Sequence, residues 1–267
     1  MQIHDALPSD KPTVLDFCKD TFSWGDYISD VWDSWISQGK LLVIDERNTP
    51  IGICHLIFST NKSQVWIEGI RIHPKYRRRG YASKLILHAQ YVAQNESCKM
   101  ARMIIESENK ASLKLVKSLG YYIEDKWRLY YLTPQRQDSA TTVAYDTKHV
   151  GTILSSNTYA DSWKWIPLDK SEIEELIKEK RVLVSMQDSA ALAAGILNES
   201  VISPKVLQLG LINGTKKGMH DILRFMQNKA HESGSERIQI FTPEKIRLQM
   251  KGLNKRSLFY LMRKDLA

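Results

Sequence analysis

The chain has 267 residues, 43% of them hydrophobic, and carries a formal net charge of +8. That length allows one or two domains whose cores pack without disulfide or metal staples. Its three cysteines, Cys18, Cys54 and Cys98, lie far apart without metal-ligand or redox spacing, so we expect no metal site and a reducing, cytoplasmic setting. Met1-Gln2-Ile3-His4-Asp5 lacks the basic and then apolar start of an export signal. No apolar run reaches the roughly 18 residues of a membrane span, so no membrane partner is expected. Lysines and arginines are spread along the chain apart from the cluster Lys75 to Arg79. This argues against a nucleic-acid interface and for an acidic ligand at the cluster.

Ile3 to Ala6 reads as a short strand. Pro8-Ser9-Asp10 then caps a helix with Val14, Leu15, Phe17 and Cys18 on its apolar side. Trp24-Gly25-Asp26 is a turn, and Ile28 to Ser37 a second helix with Ile28, Val31, Trp32, Trp35 and Ile36 near helical spacing. Leu41 to Ile44 and Ile51 to Phe58 read as a hairpin around Asn48-Thr49-Pro50, and Val65 to Ile72 as the next strand. Ala82 to Ala93 is a helix, Met103 to Glu106 a strand, and Asn109 to Leu119 a helix ended by Gly120. Tyr121 to Ile123 and Arg128 to Leu132 close the first domain as two strands. The class is α+β, with one parallel strand pair around the central helix.

Pro134 to Thr142 is polar, and the expected division is a first domain over 1–133, a linker over 134–162 and a second domain over 163–267. In the second domain, Lys164 to Pro167 is a strand and Ser171 to Lys180 a helix with an N-cap serine. Val182 to Met186, Leu192 to Leu197 and Val206 to Ile212 are strands. Met219 to His231 is a helix, Ile238 to Phe241 a strand, Glu244 to Lys251 a short helix, and Ser257 to Met262 the last strand. This order repeats the first half less one early helix. Lys216-Lys217-Gly218 echoes Arg78-Arg79-Gly80, and Ser257-Leu258-Phe259-Tyr260-Leu261 echoes Arg128-Leu129-Tyr130-Tyr131-Leu132. We read a diverged internal duplication.

Arg77-x-x-Gly80-x-Ala82 lies between a strand and a helix. Backbone N–H groups at a helix start bind phosphate oxygens, and the helix dipole favours negative charge. Gly80 lets the backbone approach closely. The stretch from Trp66 to Ala82 resembles the acetyl-CoA-binding segment of the GNAT superfamily, a strand, then Pro74, then a basic loop of the R/Q-x-x-G-x-G/A kind. Asn109 to Tyr121 resembles the second hallmark of that family, an asparagine-led helix ended by glycine and an aromatic residue. The Trp-Gly-Asp-Tyr turn is similar to the histidine N-acetyltransferase-like group within it. The resemblance covers about Met1 to Leu132.

It implies a GNAT fold, a mixed and mostly antiparallel sheet whose central strands splay near Glu68 to Ile72, followed by a second, degenerate GNAT-like domain. It implies acetyl-CoA as cofactor, with Ile70, Arg71 and Ile72 along the pantetheine. Arg77, Arg78, Arg79, Gly80, Tyr81, Ala82 and Ser83 would hold the pyrophosphate, Asn109 would contact the pantetheine, and Ser112 would also bind the cofactor. The expected reaction is direct attack of a primary amine on the thioester, the amine belonging to an amino-acid-like small molecule or a protein. An α-amine, with pKa about 8, gives the free base more readily than a lysine side chain at about 10.4. Glu68 is the candidate base. Trp24, Asp26 and Tyr27 are candidate acceptor-binding residues. Val116 stands where many relatives carry an acid tyrosine, and Tyr121 and Tyr122 are nearby. His55 reads as packing. The alternative is a binding module that recruits a partner with catalysis weak or lost, and a homodimer is left open. In the second half, His220 stands where a small residue is wanted, and no cofactor site is expected there.

Overall fold

The computed structural model describes residues 1–22, 25–199 and 205–266. The chain divides into two compact units, Met1–Glu124 with Met262–Ala267, and Asp125–Leu261.

The first unit begins with β1 (Gln2–Asp5), α1 (Lys11–Cys18) and α2 (Ile28–Gln38). It continues through β2 (Lys40–Glu46), β3 (Thr49–Phe58), β4 (Gln64–Ile72), α3 (Tyr81–Asn95), β5 (Met100–Glu106) and α4 (Lys110–Ser118). Strands β1 to β4 are antiparallel neighbours in chain order, and β4 pairs β5 in parallel around α3. In α2, Ile28, Val31, Trp32 and Trp35 form the i, i+3, i+4, i+7 stripe and are buried against Val14, Phe17, Leu41, Val43 and Ile53. Helix α3 packs on β3 and β4 through its buried Leu85, Ile86, Ala89 and Ala93. Covered by helices on both faces, β3 is buried from Pro50 to Leu56 and reads as a continuous apolar run rather than an alternation.

The β4–β5 pairing covers only Gln64 to Trp66 against Met100 to Arg102. Beyond it β4 runs on to Ile72, with Gly69 at φ +63° and a register shift against β3 between Ile53 and His55. Gly69 is needed there, because a Cβ would sit 2.2 Å from the Trp35 ring. The expected splay of the central strands therefore lies at Glu68 to Ile72.

Two strands straddle the division of the units. The strand β6 (Tyr122–Leu132) is continuous where two short strands were expected across Glu124-Asp125-Lys126. Glu124 is not at a turn; it accepts from Arg102 at 2.6 Å and from Arg263 at 3.1 Å, which keeps the charged stretch extended. The end of the chain belongs to the first unit: Leu266 N–H donates to Lys99 O, and Lys264 Nζ to Gln90 Oε1 and Leu119 O, each at 2.9 Å.

The second unit contains β7 (Thr142–Val143), β8 (Thr158–Asp161), β9 (Lys164–Pro167), α5 (Lys170–Lys178), β10 (Val182–Gln187) and β11 (Ala190–Glu199). It continues with β12 (Val206–Gly214), α6 (Lys216–Glu232), β13 (Arg237–Pro243) and most of β14 (Leu253–Asp265). Strands β10, β11 and β12 are antiparallel, and β12 pairs β13 in parallel around α6. This repeats β2 to β5 around α3, so the second unit is a GNAT-like domain of the kind the duplication implied. Trp127 to Leu132 pair antiparallel with β13, and β7 with β10.

Residues 134–162, read as a linker, fall inside the second unit. Their polar side chains have partners: Ser139, Thr141 and the Ala140 N–H all donate to the Asp221 carboxylate of α6. Three local expectations are corrected. Asp169, not Ser171, caps α5, accepting from Glu172 N at 2.9 Å. Glu244 to Lys251 is not helical; Ile246, Leu248 and Met250 alternate into the core, a period of two rather than of a helix. Lys216-Lys217-Gly218 is not a loop but the first turn of α6, capped by Thr215.

Candidate active site in the first unit

Where β4 ends, a short turn over Pro74–Tyr76 leads to the exposed Arg77, Arg78, Arg79 and Gly80. Arg78 and Gly80 both take left-handed backbone, φ +63° and +82°. Gly80 is the N-cap of α3, and no side chain caps that helix. An ideal Cβ at Gly80 would meet no atom within 4 Å. The N–H groups of the first turn, at Tyr81, Ala82 and Ser83, have no side-chain cap, and backbone N–H groups at a helix start can bind an anion. Arg77 Nε pins the loop to the strand by donating to Ile72 O at 3.0 Å, and Arg79 lies over the Tyr76 ring. The Tyr81 side chain is buried and its hydroxyl donates to Glu46, so only its backbone belongs to this cradle.

Across the splay, Asn109 caps α4 by accepting from Ser112 N at 3.1 Å, which uses its carbonyl oxygen and leaves the amide NH2 to donate elsewhere. Ile70 and Ile72 lie on the part of β4 that β5 no longer pairs. The Arg71 side chain turns the other way. Its Nε donates to Asp26 Oδ2 at 2.7 Å and its Nη2 to Asp26 Oδ1 at 3.2 Å. The two side chains are 14% and 2% exposed, so this is a buried bidentate pair, and only the Arg71 backbone could meet a cofactor. Its guanidinium lies over the rings of Phe22 and Tyr27. Burial raises the Tyr27 hydroxyl, against the lowering effect of Arg71. Trp24 lies outside the described residues.

Glu68 sits directly across from His55 in the β3–β4 register. Its Oε1 is 2.9 Å from His55 Nδ1, and its Oε2 accepts from Trp66 Nε1 at 3.2 Å. The Glu68 side chain keeps 19% exposure, enough to meet a small donor, while His55 has none. Val116 is buried in the core. Tyr121 is also buried, and burial raises its hydroxyl well above the usual range, whereas the exposed Tyr122 donates to Asp265.

The sequence pattern marks the loop and Glu68 but not the Asp26–Arg71 pair or His55. One signal was available for His55: it is the one titratable imidazole in an otherwise apolar strand, Ile51 to Phe58.

The corresponding place in the second unit is closed. Thr215 caps α6 and takes the Gly218 N–H at 3.1 Å. A Cβ at Gly218 would sit 2.7 Å from Leu192 Cβ, so the helix start is packed against β11. At the splay of β12 and β13, a Cβ at Gly210 would sit 1.9 Å from Ala160 O, because β8 lies against the strand. Trp163 and Trp165 pack edge-on to Phe241 beside it.

Residues 5–121 match the family model described as Acetyltransferase (GNAT) family. A curated relative, Thialysine N-epsilon-acetyltransferase of Mus musculus, is 34% identical over 85 residues, 32% of this chain and 46% of the relative. Its Bos taurus counterpart is 33% identical over 70 residues, 26% of this chain and 41% of that protein. The chain thus spans less than half the length of the curated relatives it matches. Among solved structures, a putative acetyltransferase from Thermoplasma acidophilum superposes over 99% of this chain and 100% of its own, with TM-score 0.70 at 16% identity. A tandem GNAT protein from the clavulanic acid biosynthesis pathway covers 100% of this chain and 98% of its own, with TM-score 0.60 at 11% identity. These two likenesses concern the fold.

Proposed function

We propose that this chain, whose residues 5–121 belong to the Acetyltransferase (GNAT) family, moves an acetyl group from acetyl-CoA to a primary amine in its first unit. The observation that carries this reading is the uncapped, unobstructed start of α3 behind Gly80, at the open end of the splayed β4–β5 pair. The N–H groups of Tyr81, Ala82 and Ser83 would hold the pyrophosphate, with the exposed Arg77, Arg78 and Arg79 lowering the cost of its charge. The edge of β4 at Ile70 to Ile72 offers backbone groups to the pantetheine amides, and Asn109 its amide NH2.

Bound acetyl-CoA supplies the thioester carbonyl that the amine attacks. Glu68 takes the proton that the amine must shed, directly or through one water. A thiol of pKa about 8.5 would give a fair leaving thiolate near neutrality, so a valine at 116 would not by itself prevent the reaction. The Asp26–Arg71 pair and Tyr27 form the wall on the acceptor side. Because Asp26 and Arg71 neutralise each other, Glu68 is the group there that an ammonium would meet first. An amino-acid-like amine fits this setting, and the relatives named for thialysine acetylation support that class. A turnover screen of acetyl-CoA against free amino acids, thialysine, polyamines and peptides tests it. Glu68→Gln is expected to lower turnover about 10²–10⁴-fold while acetyl-CoA affinity holds. Undiminished turnover in that variant would remove Glu68 from the base role.

A further inference from the structure

Glu68 is not an isolated carboxylate. His55 is wholly buried, its ring stacked on Trp35 at 4.4 Å and 8°. Its Nε2 is 3.0 Å from Trp35 O, and its Nδ1 is 2.9 Å from Glu68 Oε1. A carbonyl oxygen only accepts, so Nε2 must carry a hydrogen. The remaining question is the line between Nδ1 and Oε1. With a bare Nδ1 and an ionised Glu68, two lone pairs would face each other at hydrogen-bond distance. The geometry therefore places one proton on that line, as imidazolium with carboxylate or as imidazole with carboxylic acid.

The groups packed around the pair are neutral or paired with each other. On β3, the neighbouring Cys54 thiol is pushed up by burial. From the start of α2, the Tyr27 hydroxyl is raised by burial. Asp26 and Arg71 are committed to each other. On β4, Trp66 Nε1 only donates. Gly39 supports the arrangement, since a Cβ there would press to 2.9 Å from His55 Nε2 and 2.1 Å from Leu56 O.

We infer that His55 is a positioning residue that completes the base, so that Glu68 and His55 act as one proton acceptor anchored to the Trp35 carbonyl. This rests on the reading of Glu68 as the base. The structure shows the pair with its shared proton; the acceptor form is the one that has released that proton to water, in which the two facing lone pairs draw a proton back. As the amine attacks, its N–H bond breaks and the proton passes through Glu68 to settle between Oε1 and Nδ1. The amine's electron pair forms the C–N bond, and the C–S bond breaks with its electrons leaving on the thiolate. The pair then returns its proton to water. One proton enters and one leaves in each turn, and nothing is oxidised or reduced.

The test begins with the full chain labelled with ¹⁵N-histidine and no substrate added. Nε2 of His55 is expected to stay protonated throughout the titration, and Nδ1 to lose its proton as pH rises. In Glu68→Gln, which lacks the carboxylate that favours the imidazolium, Nδ1 is expected to be deprotonated at a lower pH, by about one pH unit or more. A bare Nε2, or a titration that Glu68→Gln does not move, overturns the inference. Turnover provides the second arm, with His55→Gln, Glu68→Gln and the double variant compared on the same acceptor. The double variant is expected to lose no more than about threefold beyond Glu68→Gln alone, because the residues act as a unit. Losses that multiply would overturn it. The arms separate the two claims: an unmoved ¹⁵N signal defeats the pairing but not the base, and wild-type turnover in Glu68→Gln defeats the base but not the pairing.

Discussion

The two units carry the same strand–helix–strand core and differ at the start of its helix. At α3 the cap is Gly80, with a left-handed backbone, no side chain and empty space around it. At α6 the cap is Thr215, whose hydroxyl already occupies one of the free N–H groups, and Gly218 is wedged against β11. A helix start can bind an anion only if its donors are free and reachable. The fold alone does not make an anion site; the start of the helix is uncapped in one unit and capped and packed in the other, which is why we propose the chemistry for the first.

The splayed strands show the same contrast. In the first unit β4 pairs β5 only as far as Trp66, and the stretch beyond carries the partly exposed Glu68 and Arg71, which is held by Asp26. In the second, β8 is locked over Gly210, with Asn198 Nδ2 donating to Ala160 O at 2.6 Å and Ser162 N to Gln208 Oε1 at 2.9 Å. In the second unit, polar groups are spent on holding β8 over β12.

The largest effect we expect from a single change is in the first unit. Asp26→Ala leaves Arg71 as an uncompensated buried charge and should cost about 3–5 kcal/mol of stability, read by urea unfolding. A loss under about 1 kcal/mol would show that the pair is not buried as described. In the second unit, Gly210→Ala pushes a methyl against the β8 backbone and should cost about 1–3 kcal/mol while acetyl-CoA affinity is unchanged. Weakened acetyl-CoA binding would contradict the assignment of chemistry to the first unit alone. Thr215→Ala removes the α6 cap and should cost about 1 kcal/mol, again with affinity intact.

The smallest effect is a pH dependence of the second unit. Burial works against the charged Asp221, but hydrogen bonds from Thr141, Ala140 N, Ser185 and Ser139 outweigh it and hold its carboxyl below the usual range. A depressed folded pKa contributes stability that is present above the unfolded pKa, about 3.9, and is lost as pH falls through the folded value. Unfolding followed from pH 5 downward should show this loss, and Asp221→Asn should flatten it. An equal slope in the variant would place the acid sensitivity elsewhere.

Much of this contrast was legible in the sequence, and the reasons are local. Gly80 after three arginines, and the Asn109 that opens α4, are readable because a helix start depends on adjacent residues. The repeated order of elements exposed the second domain. Thr215 is also in view, but the echo of Arg78-Arg79-Gly80 in Lys216-Lys217-Gly218 sets the expected helix start at Met219, whereas the Thr215 cap starts it at Lys216. What depends on distant residues was not readable. Arg71 lies within the cofactor stretch, yet Asp26, forty-five residues earlier, takes its side chain. The histidine at 55 looked like packing because its partners, Trp35 and Glu68, meet it only across strands and helix. The alternation of Ile246, Leu248 and Met250 was available but lost against the helix-forming arginine and glutamine between them and the lysines on either side.

The most direct test is a calorimetric titration of the full chain with acetyl-CoA, on the wild type and on Gly80→Asp. The variant puts a Cβ at φ +82°, which strains the backbone by about 1–2 kcal/mol, and sets a carboxylate where the pyrophosphate would lie. The account predicts one acetyl-CoA per chain in the wild type and an affinity at least about 100-fold weaker in the folded variant, a difference of about 2.8 kcal/mol. Two equivalents per chain, or wild-type affinity in folded Gly80→Asp, would contradict it.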